Sequence, residues 1–199
     1  MFRHYVFAGL IAVFLATPSR SAPAATGNVL TLHQQGSRIE LTSASGRVKA
    51  SRPGGGPSVR VDRQLASLLL RVAAAHELLE SRDGSTYYFV VHTREMSRPL
   101  ALGRGQCGSG EEQLLVLLAL DAGGLRIADQ LLLASCFQSI ELAGDGDDVD
   151  GVPAVVQVDD NDDTIRFAWL NDGKDTQRVL SIAAGRFSLE LRPASAPRN

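Results

Sequence analysis

The chain predicts a mainly β fold, an antiparallel sandwich or barrel-like sheet. Three observations lead there: short alternating apolar segments, turn signals every ten or so residues, and glycine-containing hairpin links between segments. One short helix near 63–80 would move the class to α+β.

Taken in order, Val29–His33 and Ser37–Thr42 alternate around Gln34-Gln-Gly36, and Pro53-Gly-Gly-Gly-Pro57 reads as a loop before Val59–Asp62. Residues 63–80 place Leu65, Leu68, Leu69, Val72, His76 and Leu79 at helical spacing, with Asp62 as a capping residue. Against that, Arg82-Asp-Gly-Ser85 is a hairpin turn before the aromatic strand Thr86–Thr93, which asks for a partner strand from the same residues. Helix and strand both stay open over 63–80. Glu112–Leu120 and Leu125–Ala134 flank the turn Asp121-Ala-Gly-Gly124, though Leu and Glu also favour helix over 111–120. Farther on, Pro153–Val158 and Thr164–Leu170 flank an Asp-rich turn, and Gln177–Ile182 and Arg186–Arg192 flank Ala-Ala-Gly. No fixed-period repeat is present.

Residues 1–24 read as a signal peptide. Arg3 and His4 precede eleven apolar or small residues, 6–16, and Ala22-Pro-Ala24 supplies a small-x-small cleavage site. Eleven helical residues cover roughly half of a ~30 Å hydrocarbon core, too few to span it. Cleavage after Ala24 leaves 25–199 as a single β-rich domain, periplasmic or secreted, with no transmembrane segment. Removing Arg3 and Arg20 moves the net charge from −2 to −4. Eighteen Arg against two Lys reflect GC-rich codon usage, and a negative chain lacks the positive excess that nucleic-acid binding needs. Charge is uneven: residues 141–175 carry eleven acids against Arg166 and Lys174, while 25–110 are net basic.

Cys107 and Cys136 are the chain's two cysteines, and export places them where disulfides form. Closing that ring would contribute about 3–4 kcal/mol by loop entropy. Gly103-Arg-Gly-Gln-Cys-Gly108 matches a dinucleotide fingerprint literally; such a site needs a βαβ unit around it, whereas here the expected bridge runs through the motif and an exported compartment is poor in NAD. Ser109, with His76 or His92 and an Asp, is a weak nucleophile candidate, since the surrounding pattern departs from a nucleophile elbow at its last glycine. Asp145, Asp147 and Asp150 resemble part of a calcium loop. The EF-hand spacing fails there, leaving a non-EF-hand Ca²⁺ site or a partner contact as the readings. His33, His76 and His92 have no metal-ligand spacing, and Glu111 and Glu112, adjacent on a strand, point to opposite faces.

Within the stretch 98–141, Arg98-Pro99, Gly105-Gln-Cys-Gly-Ser-Gly-Glu-Glu112 and Ser135-Cys-Phe-Gln-Ser-Ile-Glu141 resemble a group of uncharacterised exported proteobacterial proteins. These share Cys-Gly-x-Gly-x-Glu followed some thirty residues later by Ser-Cys-x-x-x-Ile-Glu. The resemblance covers about a quarter of the chain and implies the bridge, the bacterial envelope and a small recurring domain; it transfers no catalytic residue. The expected function is therefore a non-enzymatic binding, inhibitor or envelope-associated module. It would act as a monomer on an unknown protein or envelope component, without a cofactor. The alternatives are a serine-type hydrolase using Ser109 and a Ca²⁺-binding adhesin-like module.

Overall fold

Three hairpin links carry two successive residues at positive φ: Gln35-Gly36, Ser45-Gly46 and Ala184-Gly185, at 42° and 78°, 50° and 72°, 50° and 73°. Such two-residue turns match the right-handed twist of the strands they join. The first two connect β1 (Gly27–Gln34), β2 (Ser37–Ala44) and β3 (Arg47–Ser51) into a three-stranded antiparallel sheet. The computed structural model describes residues 27–96, 110–144, 148–149, 152–173 and 176–194.

After the loop at 53–57, Val59 bonds back to Ala50 of β3, and Asp62 caps α1 (Arg63–Leu69) by accepting the Gln64 N–H at 2.7 Å. The helix buries Leu65, Leu68 and Leu69, an i, i+3, i+4 stripe, and then stops. From Ala74 the chain is β4 (Ala74–Asp83), paired with β5 (Thr86–Met96) across the Gly84-Ser85 turn. The ambiguous stretch 63–80 thus divides: the leucine stripe takes the first half, and pairing with β5 takes the second. His76 stands opposite His92 in the β4–β5 register, so its helical spacing with Val72 is incidental.

β6 (Glu111–Asp121) and β7 (Gly124–Ser135) complete a central sheet ordered β4-β5-β6-β7, turning at Ala122-Gly123. The short pairs β8 (Asp148–Val149) and β9 (Val152–Pro153) form a two-stranded ribbon. The last sheet orders β10 (Gln157–Asp159), β11 (Thr164–Phe167), β12 (Thr176–Ala183) and β13 (Arg186–Pro193). Two expected strands are shorter than their apolar runs. Residues 153–156 form a turn closed by the Val156 N–H on the Pro153 carbonyl, and β11 ends at Phe167. β3 escaped the sequence reading because Arg47-Val-Lys-Ala-Ser51 carries only two apolar residues.

Three layers result. One face of the central sheet contributes Phe89, Val91, Val116 and Leu118 to a core shared with the first sheet and α1. The opposite face contributes Val90, Leu115, Leu117 and Leu133 to a second core with Ile165, Phe167 and Leu180 of the last sheet. This explains why Leu114–Leu120 is apolar at every position and does not alternate: both faces are covered. Full burial of each such side chain is worth about 1.5–3 kcal/mol. Along one margin the first and central sheets are joined through residues 59–62. Leu125 donates to the Arg60 carbonyl at 2.8 Å and Asp62 donates to the Leu125 carbonyl at 2.9 Å. The two sheets therefore wrap the first core as a barrel-like enclosure, with α1 packed against β3 and β7. No helix among the described residues is long and apolar enough to cross a membrane.

Candidate functional site

Most residues singled out by sequence fall outside the described ones: Cys107, Ser109, Asp145, Asp147 and Asp150. Cys136 is described. It follows β7 in a turn that folds Ile140 back on Ser135 through backbone bonds of 2.8 and 2.9 Å, with the Ser135 hydroxyl accepting the Gln138 N–H. Among the described residues no group of three or more His, Cys, Asp and Glu is placed to hold a metal ion.

Asp148 of the acidic run enters a polar cluster at the end of β5. Arg94 donates to its carboxylate at 2.6 Å and to Glu111 at 2.9 Å. Those bonds, Glu111 foremost, hold the guanidinium more firmly charged than usual. Beside Arg94, fully buried His92 meets the Gln113 side-chain oxygen at 3.1 Å through Nε2. With that oxygen accepting, Nε2 carries the proton, and Nδ1 is left without a partner among the described residues. Burial pushes the imidazole below its ordinary value of 6.5, favouring the neutral form at pH 7. Sequence reasoning passed over this cluster because Arg94 and Asp148 lie 54 residues apart. The available signal was His92 and Arg94 on one face of β5 and Glu111 and Gln113 on the matching face of β6, at one end of strands that are otherwise mostly apolar there. The cluster's charges pair with one another, which clamps the β8–β9 ribbon to the central sheet. Glu111 and Glu112 do face opposite ways: Glu112 turns from Arg94 to the Phe137 N–H at 3.4 Å.

A different arrangement is open to solvent. β1 and β4 are the outer strands of their sheets and run side by side, yet no ladder joins them. Carboxylates from β4 stand in for the missing partner. Glu77 accepts both the backbone N–H and Nδ1 of His33, at 2.8 and 2.7 Å, and Glu80 accepts the Gln35 N–H at 3.4 Å. Along Ala73–Leu78 lies a groove of about 850 Å³. One wall is Val29, Leu30 and Thr31 of β1; the opposite wall is Val152, Pro153 and Val156 beneath the last sheet. Because Leu30 and Val156 belong to the two different cores, the edge of the central layer is recessed between its neighbours.

One end of this slot is acidic. A smaller cavity of about 370 Å³ shares His33, Glu77 and Leu78 with it and adds Glu80, Asp160 and Asp163. In the same turn Arg166 neutralises Asp159 and Asp162, at 2.9 and 3.5 Å. Asp160 and Asp163 are exposed and have no cationic partner among the described residues. The acid of 141–175 is thus partly cancelled, at Arg166, at Arg94 through Asp148 and at Arg178 through Asp172, while Asp160 and Asp163 line the slot. Comparison with family models, with characterised proteins and with solved structures finds no match to this chain.

Proposed function

We propose that this protein is an exported, non-enzymatic β-rich module of the bacterial envelope that binds a protein or envelope component through its acidic side. The observation that carries the reading is the slot beside β4, an open apolar groove whose end is lined by Glu77, Glu80, Asp160 and Asp163. Grooves with a mainly apolar lining and a few placed polar groups are where partners and ligands dock. The internally paired cluster at Arg94 supports binding over catalysis, since its charged groups already hold one another.

Export supplies the setting. Residues 1–24 act as the signal peptide, and Cys107 and Cys136 form a bridge in the oxidising compartment. Asp145, Asp147 and Asp150, the acids singled out in the sequence, are assigned to the same acidic contact. Purified oxidised protein is used to capture envelope components, with and without Ca²⁺. Replacing Asp145, Asp147 and Asp150 by Asn abolishes capture while the circular dichroism spectrum stays that of the parent; undiminished capture refutes the acidic contact. A mass measurement of non-reduced tryptic fragments tests the bridge, and recovery of separate, alkylatable Cys107 and Cys136 peptides excludes it.

A further inference from the structure

We infer that the slot takes an extended basic peptide of a partner protein, which lies along the groove over the β1–β4 seam and places Lys or Arg side chains against Glu77, Glu80, Asp160 and Asp163. The inference rests on the binding-module reading and specifies its ligand.

Three features select this occupant. The first is shape. The groove is elongated and open, running along Ala73–Leu78 between β1 residues Val29–His33 on one side and residues 152–158 on the other. The stretch Ala73–Leu78 accommodates about six residues at ~3.3 Å each.

The second is the wall chemistry. Ala73, Ala74 and Ala75 leave room along the groove floor, while Val29, Val152 and Pro153 offer apolar contact to small side chains of a bound peptide. The third is charge. At the Glu77 end four carboxylates face the cavity, and two of them, Asp160 and Asp163, lack a counter-charge among the described residues. The carboxylates do not converge on a metal-holding geometry. A long cationic side chain can reach several of them in turn, and an acidic peptide is repelled by all.

The test uses fluorescein-labelled hexapeptides of sequence Ala-Val-Ala-Lys-Val-Lys, in both orders, and the same peptides with Glu for Lys. Anisotropy is read at low salt on the purified oxidised protein. The Lys peptides are expected to bind at least about tenfold more tightly than the Glu peptides, and added salt to erode the difference. The double variant D160N/D163N should weaken the Lys peptide about fivefold, the size of effect typical of exposed charge pairs. Asn is at ease at position 163, where φ is +48°. A second variant, A154W, fills the slot from an exposed position and should reduce binding at least about tenfold. Equal binding of Lys and Glu peptides, no binding of either, or binding undisturbed by A154W overturns the proposal. So does concentration-dependent dimerisation that A154W abolishes, which would make a second copy the occupant. If envelope components are still captured while no peptide binds, this inference fails and the binding-module reading stands.

Discussion

Glu77 and His33 are locked together across two sheets: one carboxylate oxygen of Glu77 accepts both the backbone N–H and the ring Nδ1 of His33. The contact is lopsided. His33 keeps most of its side chain in water, whereas only 11% of the Glu77 side chain is exposed. Burial, the largest influence, raises the Glu77 carboxyl above its ordinary 4.5, with the His33 bonds working against it. The folded state therefore holds this proton more tightly than the unfolded chain. Its contribution to stability is complete below pH 4.5 and declines as pH rises through the raised value. Melting curves of wild type and E77Q should diverge in slope above pH 4.5, with the wild type losing stability relative to the variant. Parallel profiles would contradict the assignment.

His92 has the opposite sign. Its pKa is depressed chiefly by burial, with His76 and Arg94 adding repulsion and with Gln113 and Asp148 opposing the shift. The folded state releases this proton more readily than the unfolded chain. Its contribution is complete above pH 6.5 and is lost as pH falls through the depressed value. Wild type should lose stability below pH 6.5 more steeply than H92Q does, measured by urea unfolding at several pH values. Equal steepness would show that His92 is not the group titrating.

Gly124 is held where no other residue fits. A Cβ there would lie 2.5 Å from the Arg60 carbonyl oxygen, and φ is +115°. Gly124→Ala should destabilise by about 3 kcal/mol, combining backbone strain with a forced separation of residues 59–62 from β7. Neighbouring Gly123 has negative φ, and its closest obstacle is the Asp121 side chain, so Gly123→Ala should cost less. Chemical denaturation of the pair decides, and equal losses would remove the Arg60 contact as the cause.

Asp62 caps a helix of only seven residues. Asp62→Ala should cost about 1 kcal/mol and Asp62→Asn only a few tenths, because Asn retains an accepting oxygen for the Gln64 N–H. If Asn costs as much as Ala, the cap contributes through charge and not through that bond.

The hairpins were legible because their causes are local. Gln35-Gly36, Gly84-Ser85 and Ala122-Gly123 turn where small or glycine residues interrupt apolar runs, and the flanking strands follow from those runs. The split of 63–80 was not legible. A leucine stripe and a hairpin partner overlap in sequence, and only β5, once placed, claims residues from Ala74 onward. The candidate site was less legible still. Glu77 meets His33 from 44 residues away, and Asp160 and Asp163 reach the same end from a third sheet.

By itself, the sequence determined that this is a β-rich chain of short hairpins, with an acidic third and a stripe of leucines behind an Asp cap. Those properties depend on backbone freedom at turns and on side-chain periodicity, which act over a few residues. Tertiary structure alone decided that the hairpins stack as three layers, that both faces of β5 and β6 are buried, and that the edge of β4 is recessed beside four carboxylates. Layer stacking maximises apolar burial between distant segments. Where the layers leave a groove is therefore a property of the whole assembly and is written in no single stretch of residues.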